Sequence, residues 1–247
     1  MRIEPILTEA QRTPVELPLL SEVFAPFREA PSDRPFVVAQ IGQSLDGRIA
    51  TVSGDSRDIS GPAALDHLHR LRAHVDAVVV GAGTIAADDP QLTVRRVEGL
   101  NPARVAIDPR GRLDARGRWL HEDGARCLLV SAAPRTANAR AELVSLAARE
   151  GVIAPAAIVE ALFARGLRRI LIEGGARTIA AFVEARCLDR LHALVAPVII
   201  GSGRAALELA PIERLNAALR PRTRAYVLEG GDVLFDCDLS AYRQYLG

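Results

Sequence analysis

Two glycine-rich turns are the first residues of this chain that could do chemistry. In V-D-A-V-V-V-G-A-G-T-I-A-A-D-D-P-Q-L-T-V-R, the run Gly81-Ala82-Gly83-Thr84-Ile85-Ala86 follows an apolar stretch and fits G-x-G-x-x-A. That spacing lets a backbone approach a dinucleotide phosphate. Asp88-Asp89-Pro90 follows almost at once. The proline limits a helix there to about one turn, whereas the usual dinucleotide fold needs a full crossover helix. The glycines therefore permit close backbone approach outside that frame, or simply make a tight turn.

The second turn lies in R-R-I-L-I-E-G-G-A-R-T-I-A-A-F, where Glu173-Gly174-Gly175 joins a strand to a helix starting near Ala176. Glycines before a helix leave amide donors free and aim the helix dipole at an anion, so phosphate or pyrophosphate binding fits. Glu173 sits at the C-terminal end of its strand, where open α/β sheets bind ligands. It could accept hydrogen bonds from an amino-pyrimidine or a sugar hydroxyl, or cap the glycine turn. Arg95, close to Asp88-Asp89-Pro90, is placed to meet a phosphate. The pairs Arg95-Arg96, Arg168-Arg169 and Arg110/Arg112 otherwise read as solvated faces.

Other chemistries are excluded or weak. The sequence contains no lysine, so all 31 basic residues are arginine, and Schiff-base or P-loop lysine chemistry is ruled out. No G-x-S-x-G nucleophile elbow and no H-x-E…P-C-x-x-C deaminase signature occurs. His67, His69 and His74 share one expected helix without metal-ligand spacing, and His67 and His69 face different sides of it. No metal is expected. Cys127, Cys187 and Cys237 are widely separated, as reduced structural thiols would be.

The elements that must hold these groups alternate from Phe36 onward. Phe36–Ile41, Ala77–Gly81, Arg104–Ile107, Arg126–Ser131 and Arg169–Glu173 read as short buried strands. Pro62–His74, Asn138–Glu150, Pro155–Arg165 and Ala176–Cys187 read as helices, with Pro62 and Pro155 at first turns and Gly151 and Gly166 as stops. Leu191–Ile200 is a long β-type run, and Arg224–Glu229 and Asp232–Cys237 flank Gly230-Gly231 as a hairpin. The expected fold is α/β, a mostly parallel central sheet with a C-terminal antiparallel hairpin and helices on both faces. Residues 1–35, punctuated by prolines, read as an N-terminal extension that packs on the domain or stays partly loose. Residues 36–247 read as one domain.

Bulk properties agree with a small-molecule protein. The 247 residues are 49% hydrophobic and 25% charged with a net charge of +1, and only 4% are aromatic. Nothing in that balance draws nucleic acid or an anionic membrane. No apolar run approaches the ~20 residues of a membrane span, and the N-terminus lacks a signal-peptide pattern. A cytoplasmic location is expected.

Taken in order, S-L-D-G-R-I-A-T…S-G-D-S…I-S-G, H-R-L-R-A, V-G-A-G-T-I-A-A-D-D-P-Q-L-T-V-R, I-E-G-G-A-R-T-I-A-A-F and A-P-V-I-I-G-S-G resemble the reductase domain of bacterial riboflavin biosynthesis. That domain is dihydrofolate-reductase-like. The likeness runs from about Phe36 to Cys237, and its D-D-P-x-L-T-V-R block with the upstream G-x-G-T is the most specific part. The resemblance implies NADPH-dependent reduction of the ribosyl group of 5-amino-6-(5-phosphoribosylamino)uracil to the ribityl form. It implies cofactor contacts at Gly42, Thr84, Asp88 and the Gly175–Ala181 segment, with Gly174, Ala176, Arg177 and Thr178 in the same turn. It implies substrate contacts at Ser56, Arg72, Leu92, Arg95 and Glu173. Asp88 is the polar group it places near the reaction centre, and Ser44–Ser60 becomes a ligand-facing loop. A stand-alone reductase without the deaminase domain is implied. A homodimer is expected, for which the apolar Leu191–Ile200 strand would supply an interface.

Two positions depart from the family pattern. Asp58 stands where a tryptophan usually follows S-G-D-S, and Pro109 stands where a serine often meets the cofactor. Arg110 or Arg112 could then hold the 2′-phosphate of NADPH. These departures keep two alternatives open: a related NADPH reductase of another heterocycle or carbonyl compound, and a nucleotide-binding protein without catalysis. Turnover of the aminouracil phosphate separates the first, and ligand binding without NADPH oxidation identifies the second.

Overall fold

The computed structural model describes residues 20–114, 116–134 and 140–243. A 3-10 turn at Leu20–Phe24 leads into α1 (Ala25–Arg28), β1 (Phe36–Ser44), β2 (Arg48–Thr51), α2 (Pro62–Ala73), β3 (Ala77–Gly81) and α3 (Ala82–Asp88). Next come β4 (Ala103–Ile107), β5 (Cys127–Ser131), β6 (Glu142–Ser145), β7 (Ala148–Arg149), β8 (Val152–Ile153) and α4 (Pro155–Phe163). The remaining elements are β9 (Arg169–Glu173), α5 (Ala176–Glu184), β10 (Arg190–Ala196), β11 (Gly203–Ala205), β12 (Arg222–Val227) and β13 (Val233–Asp238).

A nine-stranded sheet runs in the order β12-β13-β10-β1-β9-β3-β4-β5-β6. Its pairs from β10 to β6 are parallel, and β13 joins β10 and β12 antiparallel. Parallel strands buried on both faces read as continuous apolar runs, and A-V-V-V in β3 and I-L-I in β9 are almost wholly buried. One face packs Leu71 of α2 and Ile85 of α3 against Val38, Val78 and Leu171. The other packs Ile158 and Leu162 of α4 and Phe182 of α5 against Val37, Val79 and Ile172. Helices thus cover both faces, as expected. Val23, Phe24 and Phe27 are buried in the first of these cores, so residues 20–28 take the packed alternative; residues 1–19 lie outside the described residues.

Three expectations fail. Where a helix was read over Asn138–Glu150, the described part forms β6 and β7 instead. Parallel pairing with β5 buries Val144 and leaves Glu142 and Ser145 exposed, and this ladder outweighs helix propensity. The Leu191–Ile200 run stops as a strand at Ala196, because Pro197 cannot donate to a ladder. That strand is interior, paired on both sides by β1 and β13, so it offers no edge for a second subunit. Finally, Ser44–Ser60 is not loop throughout. Arg48–Thr51 forms β2 and pairs with β11, leaving residues 52–60 as the loop proper.

The α3 helix is seven residues long, longer than the single turn expected, and Asp89 ends it in a left-handed conformation (φ 39°). No helix among the described residues is long and apolar enough to cross a membrane.

Candidate active site

The C-terminal ends of β1, β9 and β3 lie side by side, because β9 pairs in parallel with both β1 and β3. Glu173 closes β9 opposite Gln40 of β1. From α2, Arg72 reaches across to it: Nε and Nη2 donate to the two carboxylate oxygens, each at 2.7 Å. The remaining Nη1 donates to the Thr93 carbonyl at 2.9 Å. Both residues are 6% exposed. Burial alone would pull the Arg72 guanidinium down, but the Glu173 charge and its hydrogen bonds outweigh that and raise it. The pair is therefore a fixed, charge-assisted fork at the C-terminal end of β9.

The Thr93 carbonyl is aimed at Arg72 by an unusual backbone. Leu92 adopts φ 57°, a left-handed conformation that costs a β-carbon residue about 1–2 kcal/mol. Its side chain is 1% exposed and sits in the core beside Leu71. Arg95 follows; its backbone N–H donates to His69 Nδ1 at 3.1 Å, and its Nη1 reaches Thr93 Oγ1 only at 3.4 Å. Burial, then the Arg72, Arg118 and Arg96 charges, lower the Arg95 guanidinium, with Glu173 opposing them.

The two glycine turns face each other. A Cβ on Gly81 would meet Thr178 Oγ1 at 2.5 Å, and one on Gly175 would lie 3.0 Å from Thr84 Oγ1 and 3.3 Å from Thr178 Oγ1. Gly174 and Gly175 take φ 67° and 70°, which only glycine adopts cheaply. Gly175 caps α5, so the amides of Gly175, Ala176 and Arg177 have no earlier helical carbonyl to bond. This is a cradle lined by Thr84 and Thr178 hydroxyls and helix amides, suited to a pyrophosphate.

The other expected residues are spread around this centre. Gly42 is a half-buried residue of β1, and a Cβ there would press Ser60 Oγ at 2.8 Å. Ser56 is exposed on the 52–60 loop and makes no hydrogen bond to the Arg72–Glu173 pair. Asp88 is exposed at the last position of α3. Among the described residues no group of three or more His, Cys, Asp or Glu could hold a metal ion, and the three cysteines are free.

Several supporting groups escape sequence reasoning. Asp46 accepts from Ser44 Oγ at 2.6 Å and from the Ile200 and Gly201 amides at 3.1 and 2.7 Å. The Ser44 hydroxyl, then the Ile200 amide, hold its carboxyl at about 2. Asp232 Oδ2 accepts from the Gly61 amide at 3.0 Å and so anchors the start of α2. The D-G turn offered a hint of the first; the second joins residues 171 apart and left no sequence signal.

Residues 35–225 match the RibD C-terminal domain. The chain belongs to that family. It is 33% identical over 212 residues to the 2,5-diamino-6-ribosylamino-4(3H)-pyrimidinone 5′-phosphate reductase of Methanothermobacter thermautotrophicus, spanning 82% of this chain and 97% of that one. It is 32% identical to the riboflavin biosynthesis protein RibD of Mycobacterium tuberculosis over 81% of this chain but only 53% of that one. Among solved structures, a deaminase/5-amino-6-(5-phosphoribosylamino)uracil reductase of Thermotoga maritima superposes with TM-score 0.71 at 27% identity, covering 88% of this chain and 59% of that chain. Against the bifunctional RibD proteins, this RibD C-terminal domain therefore spans a little over half the length. The expected order of motifs, Arg72 through Glu173, runs within the matched region.

Proposed function

We propose that this chain is the pyrimidine reductase of riboflavin biosynthesis, reducing the ribosylamino group of a 5-amino-6-(5-phosphoribosylamino)pyrimidine to ribitylamino with NADPH. The observation that carries the reading is the buried Arg72–Glu173 fork set beside the paired glycine turns. The cradle of Gly81, Thr84, Gly174, Gly175 and Thr178 fits a dinucleotide, since β-carbons at Gly81 and Gly175 would press on the threonine hydroxyls that line it. When bound, the cofactor supplies a hydride from its nicotinamide C4 to C1′ of the ring-opened imine of the substrate. The α5 amides and Thr178 hold the pyrophosphate. Glu173, locked by Arg72, accepts from the pyrimidine N–H groups, and Arg95 receives the 5′-phosphate. Asp88, exposed at the rim of α3, orients the reacting end; the proton that completes the C1′–N reduction comes from Asp88 or from water.

The pyrimidine proposed is the aminouracil. The 2,5-diamino-pyrimidinone in the name of the archaeal relative is the second reading, favoured by that relative's match over nearly its whole length. Arg110 is proposed to hold the 2′-phosphate that distinguishes NADPH from NADH. It lies in the turn after β4, its guanidinium against Gly151, where a Cβ would come within 2.9 Å of Nε and Nη2. Asp58 replaces the usual tryptophan at φ 60°, a conformation aspartate tolerates better than a large ring does.

A homodimer belongs to the same reading. β12 is an edge strand, and Val227 and Phe235 expose apolar surface on the β12–β13 hairpin. The three free thiols support a reducing, cytoplasmic site of action.

The test is NADPH oxidation by the purified protein with the aminouracil phosphate, with the diamino-pyrimidinone phosphate, and with neither. Substrate-dependent turnover with one of them establishes the reaction and names the pyrimidine. NADPH binding without turnover on either overturns it. Light scattering of the same sample tests the dimer.

A further inference from the structure

Arg118 is not among the residues that sequence reasoning assigned to the site, yet the fold ties it to the site's basic side. It opens the 3-10 turn Arg118–Leu120, whose Trp119 and Leu120 are both 2% exposed and anchor the turn in the core. Its backbone N–H donates to Asp89 Oδ1 at 2.7 Å. Asp89 is the left-handed residue that ends α3, three positions before Leu92 and six before Arg95. The segment from Asp88 to Arg95 is thus stapled to the turn that carries Arg118.

The charges near this staple are unevenly spent. Arg72 is neutralised by Glu173, and Arg96 pairs with Asp66 at 2.6 Å. Among the described residues, neither the Arg95 nor the Arg118 guanidinium has a carboxylate partner. Asp89 Oδ1 takes the Arg118 backbone N–H, and Glu122 pairs with Arg140 at 3.1 Å. Arg118 also lines an open cleft of about 450 Å³ together with Asp89, Gln91, His121 and the Glu122–Arg140 pair. Arg118 is close enough to Arg95 for its charge to count among those that lower the Arg95 guanidinium. Two unpaired guanidinium groups held near each other repel unless an anion lies between them. A phosphate monoester, with two negative charges and three acceptor oxygens, fits two such planar forks better than a carboxylate does.

We propose that Arg118 is the second arm of the substrate-phosphate site and closes with Arg95 on the 5′-phosphate of the ribosylamino substrate. This rests on the reductase reading above. Arg118 is a binding residue, set in place by Asp89 and by the buried Trp119. The cation pair selects phosphorylated over unphosphorylated ribosides, which makes this turn a determinant of substrate specificity.

The experiment compares wild type, Arg118→Ala and Arg118→Lys with the phosphorylated substrate, with its dephosphorylated riboside, and in titrations with ribose 5-phosphate alone. Arg118→Ala is expected to lower kcat/KM for the phosphorylated substrate by about tenfold to a hundredfold, the worth of one charge-assisted bond. For the riboside the change should stay within about twofold, since no phosphate is there to lose. Arg118→Lys should fall between, keeping the charge without the fork. Ribose 5-phosphate should bind wild type more tightly than Arg118→Ala, at unchanged melting temperature, because the side chain is exposed. Equal losses on both substrates, no loss on either, or unchanged ribose 5-phosphate binding would each overturn the proposal. If wild type turns over neither the phosphorylated substrate nor the riboside, the reductase reading falls, while the ribose 5-phosphate titration still decides the role of Arg118.

Discussion

Arg72 and Glu173 are 101 residues apart in the chain and meet through two hydrogen bonds of 2.7 Å. One comes from a helix on one face of the sheet and the other from the end of a central strand. Their side chains are 7% and 8% exposed, so the pair joins α2 to the sheet by a buried contact.

Removing one partner leaves the other charge buried. Arg72→Met is expected to cost about 3–5 kcal/mol of stability, read as a fall in melting temperature, and to abolish turnover. The double variant Arg72→Met/Glu173→Leu should recover most of that stability with none of the activity. Recovery of activity as well would show that the pair serves folding alone.

The glycine cradle can be tested separately from the substrate. Gly175→Ala places a β-carbon at φ 70° and 3.0 Å from Thr84 Oγ1. The left-handed backbone alone costs about 1–2 kcal/mol, and the intrusion narrows the space assigned to the pyrophosphate. Titration of NADPH by fluorescence should show affinity weakened by about tenfold or more. Undiminished affinity would move the cofactor elsewhere.

His69 gives the site a defined acid limit. Burial first, then the Arg72, Arg95 and Arg96 charges, lower it from 6.5 to about 4. Between those values the unfolded chain takes up a proton that the native chain refuses, so stability falls as pH drops from 6.5 to 4 and levels off below. Buried His67 is lowered too, by desolvation and then by His192, and acts with the same sign. His69→Gln should flatten the pH dependence of the melting temperature across this window. Because neutral His69 accepts the Arg95 N–H, KM for the phosphorylated substrate should rise in wild type as pH approaches 4.

Asp88, proposed above for the reacting end, is exposed at the last position of α3. Asp88→Ala should reduce kcat by about tenfold or more while NADPH affinity changes less, an outcome read by comparing steady-state rates with cofactor titrations. Full turnover in this variant would leave protonation to water.

For cofactor choice, Arg110→Ala should raise the Kd of NADPH severalfold and leave that of NADH unchanged. The same loss for both would remove the 2′-phosphate from this turn.

Much of this protein is legible in its order of residues. Continuous apolar runs such as A-V-V-V and I-L-I specify strands buried on both faces. Pro62, Pro155 and the Gly174-Gly175 pair mark where helices begin, and the G-G hairpin closes the sheet. These are local signals, carried by period, backbone freedom and missing donors. The motif order likewise identified the family before any contact was known.

What failed were segments whose neighbours outvote their propensity. The stretch at Glu142–Ser145 became a strand because β5 offered an unpaired edge, and the strand ending at Ala196 turned out interior because β13 folded back onto it. Nothing local could reveal the Leu92 carbon held in a left-handed backbone, the Asp232 anchor of α2, or the Asp89 staple that ties the Arg118 turn to the end of α3. The sequence determined the elements and the chemical types at their ends, since those depend on near neighbours. Only the tertiary structure decided which charges are paired and which remain free for a ligand, because pairing joins residues that the chain separates by tens to hundreds of positions.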